Sequence, residues 1–366
     1  MKRCSGWKNF CYEVMEQHIP VVCFGAGMMG IYIEHLFIKE GVWRWIDCFL
    51  DNDPQKWGTS LGRVERKPVT SIDLFMKRKL NEFIVLITCV TYIPIIEQLN
   101  QLVLFDNIHC YIYPEINYQL AMRKEKNTFY INCHESEYIP RIIHYCWFGK
   151  EEKSELIKKC IESWKKYCPD YQIIEWNEEN YDYKKNKYML QAYKMRKWAY
   201  VTDYARMDIL YNCGGIYFDT DVEILNNIDI LLTQKAFIAY GEWPTVNSGA
   251  GVGSIKGHLI IKEIRDEPRS YQPFIKSDGN CDMTQNGVYE SDILEKYGYS
   301  YDFKMQYIKD MLILPPEYMA TSSVIGERIY VSNKTLTLHH NRESWADSKR
   351  KEDRKRTMNN LLYKHE

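Results

Sequence analysis

The apolar positions in the first third of the chain predict strands that alternate with helices. Three apolar runs have the length of buried strands: Val21–Phe24, 45–50 and 83–89. Apolar residues recur at helical spacing over 31–39 and near 94–105, where Pro94 would lie in a first turn. Strands that alternate with helices predict a parallel sheet, so we expect an α/β domain at 1–122.

The pattern changes at a polar segment, 123–138, which we interpret as a linker to a second domain at 139–366. The elements predicted beyond it are a strand over 139–149, a helix over 154–168, a strand over 171–176, a helix over about 198–212, a strand over 216–218 and a charged C-terminal helix over 347–364. Gly214 and Gly215 would stop the helix that precedes the last strand, and Asp347 would cap the C-terminal helix. The second domain is therefore also expected to be α/β.

Composition excludes several classes of protein. The chain has 366 residues, with 48 Lys and Arg against 49 Asp and Glu, so it lacks the basic excess of a nucleic-acid-binding protein. No apolar run approaches the roughly 18 residues of a membrane span, and the N-terminus has no apolar core of signal-peptide length. We therefore expect a cytoplasmic protein whose 12 cysteines stay reduced. No pair has Cys-x-x-Cys spacing, so neither a zinc site nor a redox dithiol is expected.

The first domain contains a glycine-rich turn between its first strand and its first helix. Gly25-x-Gly27-x-x-Gly30 would let the backbone approach a pyrophosphate, and Asp51, at the end of the next strand, would bind ribose hydroxyls. The segment resembles the Rossmann-like domains attached to bacterial sugar-modifying enzymes. A mainly structural or regulatory role is favoured over a second nucleotide site. NAD(P) is the less favoured ligand, because no Tyr-x-x-x-Lys or similar hydride-transfer partner lies nearby.

Two Asp-x-Asp motifs follow predicted strands in different contexts. Asp51-Asn52-Asp53 is interpreted as a turn. Asp219-Thr220-Asp221 follows two glycines and a short aromatic strand, and carboxylates two residues apart in extended chain project to one side. Carboxylate oxygens suit Mg²⁺ and Mn²⁺, which neutralise the pyrophosphate of a nucleotide-sugar. The second motif therefore predicts a metal and nucleotide-sugar site.

The helix before this motif carries a further charged pair. Asp203 and Arg206 are three residues apart and share a helical face. One interpretation is a local ion pair on a solvated helix. The other directs Arg206 at the phosphates or the sugar of a donor and Asp203 at sugar hydroxyls. The local pattern favours neither.

Together these motifs resemble glycosyltransferase family 32, which is defined by a DXD-containing sugar-binding region. The matching segments are IPRIIHYCWFG at 139–149, DYAR at 203–206 and GGIYFDTD at 214–221. That family includes bacterial capsular-polysaccharide transferases and fungal mannosyltransferases, and its core is similar to the glucosylating domains of large clostridial toxins. The resemblance covers about 139–345. It implies a GT-A fold, a UDP- or GDP-sugar donor, Mn²⁺ or Mg²⁺, and retention of anomeric configuration.

The resemblance also assigns residues to a donor site. It implies that Trp147 stacks near the nucleotide base. Asp203 would bind the hydroxyls of the donor sugar, with Arg206 beside it. Asp219 and Asp221 would serve the metal and the ribose.

Residues from the last third of the chain are assigned in the same way. Ser344 and Trp345 match the closing segment of the family, where a serine and a tryptophan approach the metal and the diphosphate. Asn286 lies where the family has a polar segment that faces the sugar. His339 or His340 is either functional or a histidine that packs at a strand end.

Two remaining segments have alternative interpretations. The glycine-rich stretch 247–253 lacks the Gly-Lys-Ser ending of a phosphate loop, so it is an active-site loop or a connection. The basic residues of the C-terminal helix favour a solvated face, with contact to the anionic inner surface of a membrane as the alternative. These residues are Lys349, Arg350, Lys351, Arg354, Lys355 and Arg356.

The expected activity is transfer of a hexose-type sugar to a glycan or a lipid-linked saccharide in surface-polysaccharide biosynthesis. The leaving phosphate can take the acceptor proton, so no protein general base is expected. Two rival functions stay open: a nucleotide-sugar dehydrogenase or epimerase acting through the Gly25 loop, and a non-catalytic sugar-binding module.

Overall fold

The structure, a computed structural model, describes residues 1–78, 82–121, 131–132, 136–267, 272–322, 331–341 and 352. They form two compact units, one that extends to Ala121 and includes Glu352, and one that extends from Ile131 to Asn341. The linker predicted at 123–138 falls largely outside the described residues, so the predicted domain boundaries stay a prediction. Within the described ranges, no helix has both the length and the apolar character that crossing a membrane requires.

The first unit is built on a seven-stranded sheet. Its strands are β1 (Lys2–Arg3), β2 (Val21–Phe24), β3 (Ile46–Leu50), β4 (Ser60–Leu61), β5 (Lys67–Thr70), β6 (Ile84–Ile87) and β7 (His109–Ile112). Its helices are α1 (Trp7–Cys11), α2 (Met28–Lys39), α3 (Ile72–Met76), α4 (Tyr92–Asn100) and α5 (Tyr113–Ala121), and a π-helical turn, Tyr12–Glu16, follows α1. The strand order is β1-β7-β6-β2-β3-β5-β4, and all neighbours are parallel except β4 and β5. The predicted parallel sheet is confirmed.

The second unit contains a mixed seven-stranded sheet and a small three-stranded sheet. Its strands are β8 (Ile142–Cys146), β9 (Gln172–Trp176), β10 (Gly215–Tyr217), β11 (Val222–Ile224), β12 (Ala236–Ala239), β13 (Val252–Ser254), β14 (Gln306–Ile308), β15 (Met311–Leu314), β16 (Met319–Thr321) and β17 (Thr337–His339). Its helices are α6 (Glu155–Tyr167), α7 (Lys187–Lys194), α8 (Trp198–Cys213), α9 (Leu259–Asp266) and α10 (Asn286–Glu295). The sheet orders are β14-β15-β12-β13-β10-β8-β9 and β11-β17-β16. The predicted α/β class is confirmed, and the mixed sheet is compatible with a GT-A-type domain.

Several predicted elements are present with different bounds. The strand predicted over 139–149 is limited to β8, because the Ile139 N–H donates to the carbonyl of Leu232 (3.1 Å) instead of to a strand neighbour. The strand predicted over 45–50 starts one residue later, since Trp45 belongs to a 3₁₀ turn, Trp43–Trp45. The helix predicted near 94–105 is α4 followed by a 3₁₀ turn, Val103–Phe105. The predicted C-terminal helix, with Asp347 as its cap, lies outside the described residues.

A buried histidine joins three neighbouring elements of the second unit. His144, in β8, is fully buried; its Nδ1 accepts from the Trp176 indole N–H (3.1 Å). Its Nε2–H therefore donates to the Gly214 carbonyl (2.9 Å), where α8 ends. Both ring nitrogens are satisfied only in the neutral form, and burial lowers the pKa of His144 to about 4.

This pairing predicts a loss of stability in mild acid. The unfolded chain takes up the proton near the ordinary histidine pKa, whereas the folded chain resists it down to about 4, so stability falls as the pH falls through this window. We expect His144 to lower the free energy of unfolding by about 2 kcal/mol between about pH 7.5 and about pH 5. Urea unfolding at several pH values gives the free energy of unfolding of the wild type and of His144→Gln. The difference between the two slopes of this free energy against pH measures the contribution of His144.

An exposed histidine is the matched control. His18→Gln removes a histidine from an exposed position and controls for the substitution itself. Equal slopes for the wild type and His144→Gln would mean that His144 is not held neutral.

Candidate functional site

A buried arginine lies at the centre of the second unit. Arg206 and Asp203 both project from α8 and are only 3% and 6% exposed, so they are not the solvated ion pair that one interpretation of the sequence allowed. Arg206 Nη2 lies 3.2 Å from Asp203 Oδ1 and 3.3 Å from Asp219 Oδ1. Burial alone would lower the pKa of Arg206, but the negative charges around it, of which Asp219 contributes most, together outweigh burial and raise the pKa. The guanidinium therefore stays charged.

Two glycines direct the chain from this helix into the Asp-x-Asp segment. Gly214 and Gly215 have φ values of 71° and 102°, which other residues rarely adopt. A Cβ on Gly215 would lie 2.8 Å from His144 Nε2, so the position has no room for a side chain. The chain then enters β10, parallel to β8, and Asp219 emerges at the carboxyl edge of the sheet, where ligands bind in open α/β sheets.

The two aspartates converge through a turn, which corrects the prediction that they lie in extended chain. The Val222 N–H donates to the Asp219 carbonyl (3.0 Å), so the residues between them form a tight turn before β11. Strand β11 pairs antiparallel with β17, with Val222 opposite His339. His339 Nε2 therefore lies 3.2 Å from Asp221 Oδ1. Burial alone would lower the pKa of His339, but the charge and hydrogen bond of Asp221 and the charge of Asp219 together outweigh burial and raise the pKa.

The donor atoms of Asp219, Asp221 and His339 fit a divalent cation. One ligand atom from each of the three residues lies within 4.8 Å of the others. Two carboxylates and an imidazole are ligands that Mn²⁺ accepts, and the carboxylates suit Mg²⁺ as well. Ser344, the other predicted ligand, lies outside the described residues.

Asp219 is held by groups on three sides. Its Oδ1 accepts from the Tyr217 hydroxyl (3.2 Å) and faces Arg206, and its backbone N–H donates to the Gly249 carbonyl (3.0 Å). A Cβ on Gly249 would lie 2.3 Å from Asp219 Oδ2 and 3.0 Å from Arg206 Nη1. The glycine-rich stretch 247–253 is therefore part of this site rather than a mere connection.

Ser248 and Glu290 belong to the same network, and our sequence analysis missed both. Arg206 Nη1 donates to Ser248 Oγ (3.1 Å), and the fully buried Glu290 accepts from the Ser248 N–H (3.0 Å) and hydroxyl. The predicted residue Asn286 donates to Ser248 Oγ (3.1 Å) and to Glu290 Oε1 (3.0 Å). The local sequence around Ser248 gives no signal for these contacts, because they depend on the tertiary packing of α10.

Trp147 follows β8 at the same carboxyl edge as Asp219. It is half-buried; its indole N–H donates to the Glu151 carbonyl (2.8 Å), and Lys153 Nζ lies 5.2 Å from the ring centroid. Its predicted role beside a nucleotide base stays a prediction. Trp345 and the basic residues of the C-terminal segment, Lys349, Arg350, Lys351, Arg354, Lys355 and Arg356, lie outside the described residues.

In the first unit, the Gly25 loop is held by the residue that was expected to bind ribose. Asp51 Oδ2 accepts from the Ala26 N–H (2.8 Å) and from Lys56 Nζ (2.9 Å). Gly25 has a φ of 115°, and Gly27 begins α2 as its N-cap. A Cβ on Gly30 would lie 3.1 Å from the Gly25 carbonyl, so this glycine lets the helix pack closely. Nucleotide binding here stays a prediction.

Comparison with known proteins supports a transferase. Residues 154–238 match the family model described as the glycosyltransferase sugar-binding region containing a DXD motif. The matched segment includes Arg206 and both aspartates.

Two fungal proteins are similar over part of the chain. Inositol phosphoceramide mannosyltransferase 3 of Schizosaccharomyces pombe is 29% identical over 168 residues, which are 42% of this chain and 45% of that protein. Inositol phosphoceramide mannosyltransferase 2 is 26% identical over 225 residues, which are 57% of this chain and 59% of that protein. The chain thus spans about half the length of these relatives, and the predicted likeness to bacterial capsular enzymes stays a prediction because the relatives are fungal.

Two solved structures are more distantly similar. The PaToxG glycosyltransferase has a TM-score of 0.34 and 18% identity, covering 57% of this chain and 78% of that one. A glycosyltransferase involved in glycosylation of the major capsid of PBCV-1 has a TM-score of 0.33 and 13% identity, covering 60% of this chain and 99% of that one.

The contact of Gly249 predicts that a single methyl group disables the site. In Gly249→Ala the new Cβ displaces the Asp219 carboxylate from Arg206, while the backbone angle of this residue allows alanine. We expect Mn²⁺ binding, measured by the loss of the free-ion electron paramagnetic resonance signal, to weaken about tenfold or more. Gly27→Ala is the control, because no heavy atom lies within 4 Å of its Cβ. Unchanged Mn²⁺ affinity in Gly249→Ala would contradict a role for Asp219 in cation binding.

Proposed function

We propose that the chain is a retaining, metal-dependent glycosyltransferase that transfers a sugar from a UDP- or GDP-sugar to a hydroxyl of a glycan or lipid-linked saccharide. The observation that carries the proposal is the convergence of a permanently charged, buried Arg206 with Asp219, Asp221 and His339 at the carboxyl edge of the sheet. The match of 154–238 to a sugar-binding region supports it.

The site is arranged to manage the charge of a diphosphate. Asp219, Asp221 and His339 would hold Mn²⁺ or Mg²⁺, which supplies positive charge for the diphosphate of the donor. Arg206 and the Tyr217 hydroxyl fix Asp219 before any ligand arrives, so little reorganisation is needed when the donor binds. His339 holds Asp221 in the same way.

The remaining predicted residues complete the donor site. Asp203 and Asn286 border the same network and would bind hydroxyls of the donor sugar, while Trp147 would stack near the base. Ser344 and Trp345 would close the site over the diphosphate. The departing phosphate takes the acceptor proton in a front-face displacement, so the proposal assigns no general base.

The proposal also includes the sugar that is transferred, the acceptor, and the place in the cell where the protein acts. The fungal relatives are mannosyltransferases named for inositol phosphoceramide, which favours a mannosyl group and an acceptor with a lipid anchor. The proposed setting is the cytoplasm at the inner face of a membrane, in surface-polysaccharide biosynthesis. The basic C-terminal residues 349–356 would contact the anionic lipid surface.

The two Asp-x-Asp segments provide a matched test. Asp221→Asn removes one of the two proposed carboxylate ligands, so release of UDP or GDP from a panel of UDP- and GDP-hexoses with Mn²⁺ should fall about 100-fold or more. Asp53→Asn is the control: Asp53 caps a 3₁₀ turn by accepting the Gln55 N–H (3.0 Å), and asparagine caps equally well. Its turnover should match the wild type within about twofold.

Three outcomes would overturn the proposal. Turnover without a divalent cation would exclude the metal role. Donor binding without transfer to any acceptor would favour the non-catalytic sugar-binding module. NAD(H) binding that is lost in Gly27→Val, together with hydride transfer, would favour the dehydrogenase or epimerase.

A further inference from the structure

A second group of metal-ligating side chains lies in the first unit. Ligand atoms of Cys4, Glu13 and His109 lie within 4.8 Å of one another, and all three residues are half-buried. His109 Nδ1 lies 2.9 Å from Glu13 Oε2. Among the described residues, this group and the one at Asp219 are the two in which three His, Cys, Asp or Glu side chains bring their ligand atoms within 4.8 Å of one another.

The three residues come from different elements that the fold brings together. Cys4 directly follows β1, and its N–H donates to the Cys110 carbonyl (2.9 Å), which extends the pairing of β1 with β7. His109 is the first residue of β7. Glu13 belongs to the π-helical turn after α1, a form that often occurs at functional sites.

One of the three side chains is oriented by a buried neighbour. The Tyr111 hydroxyl donates to Glu13 Oε1 (3.0 Å), and Tyr111 is fully buried two residues beyond His109 in β7. Residues two apart in a strand share a face, so the hydroxyl and the imidazole approach the carboxylate from the same side. Hydrogen bonds of this kind fix metal-ligating carboxylates.

The chemistry of the three groups favours zinc. A thiolate and a carboxylate carry two negative charges, which one divalent cation neutralises, and a neutral imidazole adds no charge. Thiolate sulfur favours Zn²⁺ over Mg²⁺ or Mn²⁺. Zinc bonds of about 2.0–2.3 Å place tetrahedral ligand atoms roughly 3.4–3.8 Å apart, and the three ligand atoms here lie within 4.8 Å of one another.

We propose that Cys4, Glu13 and His109 bind one zinc ion that fastens the N-terminal strand and the π-helical turn to β7. The spacing of the cysteines had suggested no zinc site, because that test detects only pairs close in sequence. Here the cysteine and the histidine are brought together by the parallel pairing of β1 and β7. Water can supply a fourth ligand.

Cobalt titration of the metal-free, full-length chain tests the proposal. Co²⁺ bound at Cys4 should give a thiolate-to-cobalt charge-transfer band, and added Zn²⁺ should displace the Co²⁺ and abolish the band. The cluster at Asp219 holds no sulfur, so it cannot produce this band. The result is therefore independent of whether the transferase proposal is correct.

Matched variants separate ligands from neighbours. Cys4→Ser should weaken Zn²⁺ binding, measured by chelator competition, by more than about 100-fold, since even indirect partners typically contribute 10- to 100-fold. Tyr111→Phe should weaken it by about tenfold. Cys11→Ser, at another half-buried cysteine, should bind within about twofold of the wild type.

A measurement on the wild type covers the case in which Cys4→Ser does not fold. Zn²⁺ should slow alkylation of Cys4 by iodoacetamide, read by mass spectrometry, without slowing that of Cys11. A cobalt complex that lacks the charge-transfer band, or equal alkylation of Cys4 with and without Zn²⁺, would overturn the proposal.

Discussion

The second unit depends on how a buried guanidinium is paired. An arginine removed from water must have its charge and its donors satisfied, or the fold loses several kcal/mol. Arg206 meets this requirement with Asp203 from its own helix, Asp219 from the end of β10 and Ser248 from the loop before β13. Three segments distant in sequence are thereby fixed around one side chain.

The same pairing leaves little space around the neighbouring positions. Ser248 is held by Glu290, so the loop is tied to α10 by a carboxylate that is itself fully buried. Gly249 leaves no space between the loop and Asp219. A buried network of this kind is stable only when every member is satisfied, so the position of the Asp219 carboxylate is determined by residues deep in the network as well as by its direct neighbours.

The sequence predicted those parts of the site that depend on local pattern. The helix from Trp198, its termination by Gly214 and Gly215, and the exit of the aspartates from a strand follow from apolar spacing and glycine chemistry. The prediction of extended chain between Asp219 and Asp221 was wrong, because it assumed that the strand continues beyond β10, whereas the chain turns there. Ser248 and Glu290 could not be predicted, since nothing local marks a serine or a glutamate whose partner is supplied by another helix. In the first unit, the loop glycines were predicted, whereas the contact of Asp51 with Lys56 depends on the fold of the following turn.

The pairing of β11 with β17 also affects how the protein is made. Asp219 and Asp221 are synthesised early in the second unit, whereas His339 lies on the last described strand of that unit. A ribosome-bound chain that ends before β17 therefore contains both carboxylates. It still lacks His339 and the strand that positions this histidine. Two adjacent anions without that partner repel one another, so the nascent site is less ordered than the finished one. The full set of side chains at this site is therefore assembled only after β17 has been synthesised and has paired with β11.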